Sequence, residues 1–326
     1  MQIECELIFE PTLNPTIEII MIYAGELAAL GTVLCWTLGS QFFEAAGKRA
    51  GSLSVNLVRL IIAFFLFCIT LAVTRGEIIP MDFPAEAWKW LIISGLIGFS
   101  FGDMCLFTAF VEIGPRVSML IMTLTAPITA LLGWAFLEEV YSPRQWIGVG
   151  ITLMGISWVI LKRNGNTNKS KNSKLWDRNI TLRGILLAFG GAVGQAVGFI
   201  FSKVGMMNGG SYLDPFASTQ IRSIGGIIGF TILFFILRWW PKVLLAIKDV
   251  PAMGFTAAGA FFGPYLGVSL SLLALHYTTA GVASTIMSLA PITLIPFAIF
   301  LHKERVNMHG FLGAFVAISG VLMLIN

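Results

Sequence analysis

Apolar residues fill the chain in long runs that short polar segments separate. Ten of these runs approach or reach the ~20 apolar residues that a helix needs to cross the hydrocarbon core of a bilayer. They are Met21 to Ser40, Ser54 to Val73, Trp88 to Phe110, Val117 to Leu137, Trp146 to Leu161, Gly184 to Phe201, Phe216 to Leu237, Met253 to Leu275, Val282 to Leu301 and Gly310 to Ile325. The pattern predicts an all-α integral membrane protein with ten transmembrane helices.

The composition agrees with this prediction and argues against several classes of function. Of the 326 residues, 56% are hydrophobic and 12% are charged, and the mean hydropathy of +0.84 is too high for a soluble domain of this length. The three histidines are scattered and the four cysteines lack metal-ligand spacing, which argues against a membrane enzyme and against a metal site. The sequence has no glycine-rich phosphate loop. ATP-driven pumping would therefore require a separate subunit, and we expect no cofactor.

Two polar segments divide the chain. Residues 1–20 hold four glutamates and no Lys or Arg, so this acidic leader is not a signal peptide. Either the leader is part of the protein or translation begins at Met21. Residues 162–181 form a basic polar linker, which we interpret as a solvated loop rather than a nucleic-acid-binding patch. The linker separates residues 21–161 from residues 182–326.

These two parts carry matching sequence. "TLTAPITALLGWAFLEE" (123 to 139) corresponds to "SLAPITLIPFAIFLHKE" (288 to 304), with Pro127 on Pro291 at an offset of 164 and Glu139 on Glu304 at an offset of 165. Such self-similarity predicts a duplication. Each part contains five predicted spans, and five is an odd number. The second part is therefore expected to cross the membrane in the opposite sense, which is the inverted repeat of many secondary transporters.

The motifs of both parts resemble a known family. "SGLIGFSFGDMCLFTAFVEIG" and "WIGVGITLMGISWVILK" in the first part, with "ALHYTTAGVAST" and "GFLGAFVAISGVLML" in the second, are similar to the EamA-type carriers of the drug/metabolite transporter superfamily. The resemblance covers roughly residues 22 to 325. It implies two EamA-like repeats and transport without ATP, often export of an amino acid or another metabolite, in a plasma membrane of bacterial type. The residues alone leave a channel or a structural membrane protein as the alternative.

Asp103 places a carboxylate inside an apolar run, where a charge costs at least ~2.5 kcal/mol at the middle of the bilayer. Ser100 and Phe107 share its helical face, and we expect this face to line a cavity in which Asp103 binds an ammonium group or a proton. A neighbouring stripe of glycines, Gly95, Gly98 and Gly102, favours close helix packing. The alternative is structural, with Asp103 paired to Arg59 on another span. The sequence leaves both interpretations open.

Four further residues are candidates for substrate binding. Arg59 and Arg222 occupy corresponding places in the two parts, and each either extends to the membrane interface or recognises an anion. Trp36 and its counterpart Gln195 offer a ring and an amide at one level of the membrane. A buried amide needs a partner, so Gln195 bonds either a neighbouring helix or a ligand.

The repeat predicts a break in symmetry beside Asp103. An offset of 164 pairs Asp103 with Gly267 and Ser100 with Pro264. Where the first part has a charge, the second has "FFGPYLG", a Gly-Pro break that frees backbone carbonyls. We expect a substrate to bind at this level.

Pro127 and Pro291 are expected to lie in the middle of long apolar helices. Proline removes a backbone hydrogen bond there and kinks the helix. Two kinks at matching depth in inverted halves predict a pair of hinges.

The orientation in the membrane is left open by the sequence. Most of the Lys and Arg residues follow odd-numbered spans, which places both termini outside by the positive-inside rule. The family resemblance implies both termini inside. The expected partners are a small-molecule substrate, the lipid bilayer and, if Asp103 titrates, protons. Nothing indicates nucleic acid, and the chain is compatible with either a monomer or a homodimer.

Overall fold

Helices account for most of the chain in the computed structural model. The structure describes residues 23–113, 118–119, 121–162, 181–208, 211–290, 292–293 and 308–324. The predicted leader, most of the predicted linker and Pro291 lie outside these described residues. The predicted boundaries at these segments therefore stay predictions.

The first part of the chain forms a series of helices whose second and third members are joined by residues 76–84. Their bounds are α1 Ala24–Ala50, α2 Ser52–Arg75, α3 Ala85–Gly95, the π-helical segment π1 Leu96–Gly102, α4 Asp103–Glu112, α5 Thr125–Phe136 and α6 Pro143–Lys162. The corner between α1 and α2 is Gly51, whose φ of 81° favours glycine. Helices α3 and α4 continue into one another through π1.

The second part repeats this series and adds a short hairpin and a surface helix. Its elements are α7 Leu182–Met206, β1 Met207–Asn208, β2 Ser211–Tyr212, α8 Pro215–Ile236, α9 Trp240–Lys248, α10 Val250–Ala260, π2 Phe261–Gly267, α11 Val268–Tyr277, α12 Ala280–Met287 and α13 Met308–Leu322. Strands β1 and β2 pair antiparallel, with Met207 opposite Tyr212. The fold is otherwise helical throughout the described residues.

The two π-helical segments fix the register between the parts. Helices α3 and α10 begin at Ala85 and Val250, and the helices after π1 and π2 begin at Asp103 and Val268. We call α3, π1 and α4 together, and α10, π2 and α11 together, the two composite helices. Each boundary in the first is 165 residues before its counterpart in the second, which is one residue more than the offset of the proline motif. The pairing of Asp103 with Gly267 is consequently wrong, and Val268 is its counterpart.

The same register corrects the second predicted pairing. Ser100 corresponds to Tyr265, and Pro264 corresponds to Phe99. The reason is that the predicted pairings used the offset of 164 between Pro127 and Pro291, whereas π1 and π2 are 165 residues apart. The chain does not open at the Gly-Pro step, because Pro264 lies inside π2 and the helix continues through it.

The two parts exchange helices with each other. Helix α1 packs against α10, π2 and α11, while its counterpart α7 packs against α3, π1 and α4. Helices α6 and α13, which end the two parts, pack side by side. Each first helix is thus held by the composite helix of the other part, and π1 and π2 both lie at contacts between the parts.

Glycines permit this exchange at equivalent positions. A Cβ atom added to Gly39 of α1 would lie 3.2 Å from the backbone nitrogen of Gly263 in π2. A Cβ atom added to Gly198 of α7 would lie 3.1 Å from Cα of Gly98 in π1. Small residues allow helix backbones to approach this closely in a membrane. The predicted packing role of the glycine stripe is confirmed at Gly98.

Five described helices are long and apolar enough to cross a membrane. They are Ser52–Arg75, Ala85–Ala109, Leu182–Met206, Pro215–Ile236 and Val250–Tyr277, and Thr125–Phe136 and Leu312–Leu322 are shorter apolar helices. Each of the ten predicted apolar runs overlaps a described helix. Four of the runs extend outside the described residues, so the number of ten spans stays a prediction. The all-α membrane fold is confirmed.

Pro127 lies in the first turn of α5 and not in the middle of a helix. Residues Thr123 and Leu124 form a turn, and α5 begins at Thr125. A proline at this position leaves no helical hydrogen bond unmade, because the first N–H groups of a helix have no partner within it. A turn at Ser288 and Leu289 interrupts the second part at the corresponding place. The hinge role of Pro127 stays a prediction, while Pro291 lies outside the described residues.

Candidate functional site

Arg59 and Asp103 form an ion pair inside the bundle. Helix α2 carries Arg59, and Asp103 is the first residue of α4, directly after π1. Nη2 of Arg59 donates a hydrogen bond to Oδ2 of Asp103, and the two side chains are only 12% and 10% exposed. The structural alternative for Asp103 is therefore the observed arrangement.

Aromatic rings surround the guanidinium of Arg59. The ring centre of Phe43 lies 5.0 Å from its Cζ atom, and that of Phe107 lies 5.9 Å away. Such contacts stabilise a cation where water is scarce. Phe107 thus lies beside the Arg59–Asp103 pair, as the shared helical face predicts.

Arg222 occupies the corresponding position in the second part. It lies on α8 and is 1% exposed, with its Cζ atom 4.9 Å from the ring centre of Phe99. Asp103 is close enough to interact with it electrostatically. Arg222 is enclosed by protein and does not reach the surface of the bundle, so the structure does not support an extended side chain, and the interfacial interpretation stays untested.

Gln195 lies next to Arg222 across π1. A Cβ atom added to Gly98 would lie 3.4 Å from Nη2 of Arg222 and 3.5 Å from Oε1 of Gln195. Both polar groups therefore face the same side of Gly98. Gly98 has no side chain, and this leaves room for the amide of Gln195 and the guanidinium of Arg222 to lie close to each other.

Trp36 reaches the same region from α1. Its ring stacks on Phe199 of α7, with ring centres 6.4 Å apart and planes inclined by 6°. It also lies against π2, because a Cβ atom added to Gly267 would lie 2.6 Å from Cδ1 of Trp36. Trp36 and Gln195 thus hold equivalent places against π2 and π1.

Two of the predicted site residues have backbone roles. The hydroxyl of Ser100 donates to the carbonyl oxygen of Gly226 at 2.9 Å, which ties π1 to α8. Pro264 is buried within π2, which packs against the helix α1 that carries Trp36. The structure shows neither residue presenting a free polar group.

A second buried ion pair joins the two parts at one end of the bundle. Nζ of Lys203, on α7, lies 2.7 Å from Oε1 of Glu139, which follows α5. Their side chains are 8% and 7% exposed. Lys203 also donates to the carbonyl oxygen of Thr278 at 2.9 Å. The sequence predicts only solvation or helix-end pairing for Glu139, and it gives no sign of Lys203 as its partner.

Glu139 and Tyr141 close the beginning of α12. The backbone N–H of Ala280 lies 2.9 Å from both carboxylate oxygens of Glu139, and the N–H of Gly281 donates to the Tyr141 hydroxyl at 3.0 Å. The Tyr141 hydroxyl donates in turn to Glu139. Burial and the adjacent Glu139 carboxylate raise the pKa of the Tyr141 phenol. We name these connected residues, with Lys203 and Thr278, the Glu139 network.

A cavity of about 390 Å³ lies beside the Glu139 network. Its polar lining includes Glu26, Lys203, Tyr212 and His276. The ring of His276 stacks on Tyr212, with centres 4.6 Å apart. Within the described residues, no group of three or more His, Cys, Asp or Glu side chains could hold a metal ion. The cavity and its network therefore form a polar end to the bundle, apart from the Arg59–Asp103 pair.

Comparison with known families decides the class of the protein. The model of the EamA-like transporter family matches residues 23–161 and again residues 182–326. The chain belongs to the EamA-like transporter family. The two matches fall on the two parts that share their helix register, so the chain is a duplication of one EamA-like unit. The EamA-like chain is thus a multi-pass membrane protein from a family of transporters, not of enzymes.

The chain is also similar to a yeast protein and to a solved structure. The uncharacterized membrane protein YMR253C of Saccharomyces cerevisiae is 26% identical over 117 residues, which are 36% of the EamA-like chain and 28% of the yeast protein. The chain therefore aligns with less than a third of that relative. A crystal structure described only as that of a protein superimposes with a TM-score of 0.68 at 14% identity, covering 92% of this chain and 96% of the other. That second likeness shows a shared fold.

Proposed function

We propose that the EamA-like chain is a secondary carrier that exports a small metabolite, such as an amino acid, by alternating access. The observation that carries this proposal is the cluster of Arg59, Asp103 and Arg222 between two parts that exchange helices. Charged residues inside membrane helices are expensive and commonly mark the path of a substrate. A site between two repeats is also where secondary transporters bind their substrates.

In this proposal the two repeats cross the membrane in opposite senses and move against each other. The exchange of α1 and α7 between the parts supports such a movement, because each part presents the same surface to the other. The turns before Pro127 and at Ser288 supply equivalent places for bending. The Glu139 network closes one end, and the plasma membrane of a bacterial-type cell is the proposed location.

A resistance screen followed by reconstitution tests the proposal. Cells that express the protein are challenged with toxic amino acids and analogues, and the compound against which they are protected is used in proteoliposomes. We expect saturable uptake of the labelled compound, accelerated when the unlabelled compound is preloaded inside. Flux that neither saturates nor responds to preloading indicates a channel. No flux for any protective compound would show that the protein is not a carrier.

A further inference from the structure

Arg222 is the exception among the buried charges of the EamA-like chain. Four charged side chains are buried in the described residues, namely Asp103, Glu139, Lys203 and Arg222. The first three take part in ion pairs. For Arg222, Nε and Nη1 have no hydrogen-bond partner, although both atoms are buried. A guanidinium in this state is costly, because burial removes its water without supplying acceptors.

The charges around Arg222 do not cancel. Two arginines, Arg59 and Arg222, lie near one carboxylate, and Asp103 accepts its hydrogen bond from Arg59. The Asp103–Arg222 interaction is electrostatic and includes no hydrogen bond among the described contacts. The cluster therefore carries one positive charge in excess, and a small anion would neutralise it.

The surroundings of Arg222 suit an anion with an apolar body. The Phe99 ring contacts the guanidinium, and the amide of Gln195 lies on the same side of Gly98. The stacked rings of Trp36 and Phe199 stand on the adjoining helices α1 and α7. The planar guanidinium of an arginine can donate two parallel hydrogen bonds to the two oxygens of a carboxylate. A neutral or cationic group cannot form this charge-assisted pair.

We propose that Arg222 binds the carboxylate of the transported compound, with Gln195 as a second polar contact and the neighbouring aromatic rings against the apolar part of the compound. This inference rests on the proposed carrier function and names the substrate class of the same site. The Arg59–Asp103 pair stays closed while the carboxylate is bound. The substrate is therefore selected first by its negative charge.

Three molecules of similar shape test the charge requirement in the unaltered protein. Phenylacetate, phenylacetamide and phenethylamine carry an anionic, a neutral and a cationic group on the same ring. Each is added to the purified full chain in detergent, and the midpoint of thermal unfolding is followed against concentration. We expect phenylacetate to raise the midpoint in a saturable manner and the other two to leave it unchanged. Equal shifts by acid and amide, a shift by the amine alone, or no shift by the acid overturn the inference.

Variants of Arg222 test the residue itself. Arg222→Gln is expected to weaken phenylacetate binding at least about tenfold, because the charge-assisted bonds are lost. Arg222→Lys keeps the positive charge but cannot donate two parallel hydrogen bonds, and this variant is expected to bind phenylacetate with intermediate affinity. Arg144→Gln changes an exposed arginine on α6 and serves as the matched control. Unchanged binding in Arg222→Gln overturns the assignment, and if that variant does not fold, the three-compound comparison decides alone.

Failure of this inference is distinguishable from failure of the carrier proposal. Uptake of a labelled amine that is accelerated by preloaded amine (counterflow), together with no binding of acids, would support the carrier proposal with a cationic substrate and contradict the anion site. Binding of phenylacetate that depends on Arg222, without counterflow of any carboxylate, would leave the anion site in a protein that is not a carrier. The thermal measurement reports on the site, and the proteoliposomes report on transport.

Discussion

Nζ of Lys203 lies 2.7 Å from Oε1 of Glu139, and this contact joins the two repeats of the chain at one end. Both side chains are buried, and each makes further hydrogen bonds, to Thr278 and to the start of α12. These additional hydrogen bonds offset the cost of removing both charges from water. Removing one partner would leave the other charge buried without a counter-charge. The end of the bundle that holds this pair should therefore be closed and stable.

Replacing Glu139 by Gln is expected to destabilise the protein strongly. The change removes the counter-charge of Lys203 and weakens the cap of α12. Loss of one member of a buried pair costs about 3 to 5 kcal/mol. The measurement is the midpoint of thermal unfolding of the purified protein, together with its abundance in the membrane.

The adjacent Glu138 is the matched control for this change. It is exposed, and Glu138→Gln should leave the unfolding midpoint within error of the parent. Adding Lys203→Met to Glu139→Gln removes the stranded charge and should restore part of the lost stability. If Glu139→Gln is as stable as Glu138→Gln, the Lys203–Glu139 pair contributes nothing to the stability of this end of the bundle.

Removal of the Tyr141 hydroxyl should lower stability near neutral pH. Tyr141→Phe loses the hydrogen bond to Glu139 and the one from Gly281, for an expected loss of about 1 to 3 kcal/mol. The raised pKa of the phenol means that the folded protein favours the protonated form. The stabilisation that the protonated Tyr141 hydroxyl gives the folded protein is complete below the ordinary tyrosine pKa of 10.0, and it is lost as the pH rises above that value.

The difference between parent and Tyr141→Phe should consequently shrink at alkaline pH. Unfolding midpoints of both proteins, measured near neutrality and again above the ordinary tyrosine pKa, give this difference directly. Other titrating groups act on both proteins and cancel in the comparison. A difference that grows with pH would contradict the direction of the shift.

Helix α6 contains two glycines that separate packing from helix propensity. A Cβ atom added to Gly155 would lie 2.4 Å from the backbone nitrogen of Ala317 in α13. At Gly150 the same atom would meet nothing within 4 Å. Gly155→Ala should cost about 1 to 3 kcal/mol by forcing α6 and α13 apart. Gly150→Ala should be neutral or slightly stabilising, because alanine favours a helix over glycine.

Thermal unfolding of the two alanine variants checks this prediction. Both gain the same intrinsic propensity, so their difference isolates the contact between α6 and α13. Equal midpoints would mean that the two helices separate at no cost and that they do not hold the repeats together.

Much of the fold was accessible from the sequence because it depends on long apolar runs and on a repeat. Charged residues within such runs are rare, so Asp103, Arg59 and Arg222 could be singled out by position alone. The pairing of Asp103 with Arg59 was one of two interpretations, since apolar periodicity gives the face of a residue and not its neighbour. The family followed from motifs recurring in order in both parts.

The remainder depended on details that apolar patterns do not contain. One wide turn in π1 or π2 leaves the run of apolar residues unbroken, so neither π-helix was predicted. The register at these segments was one residue short because the offset of the proline motif was applied to them. The partner of Glu139 depends on where α7 ends relative to α5, which only the exchange of helices between the parts determines. Pro127 was expected inside a helix because the turn at Thr123 and Leu124 consists of residues that also suit a helix.

The Arg59–Asp103 pair gives the sharpest test of function. Asp103→Asn is expected to lower abundance, because Arg59 loses its counter-charge inside the bundle at a cost of about 3 to 5 kcal/mol. The double variant with Arg59→Gln removes both charges and should recover the abundance. Asp82→Asn is the control, since its pairing with Arg75 is partly exposed and should contribute at most about 1 kcal/mol.

Transport by the double variant separates a structural role of Asp103 from a functional one. If Asp103 serves only to hold Arg59, removing both charges together restores counterflow along with abundance. If Asp103 instead also exchanges a coupled proton during transport, the double variant should be abundant, folded and inactive. Counterflow is measured in proteoliposomes matched for protein content, which removes differences in expression from the comparison. Parent-like counterflow in the double variant would assign Asp103 to structure alone and leave Arg222 as the charged residue on which substrate binding depends.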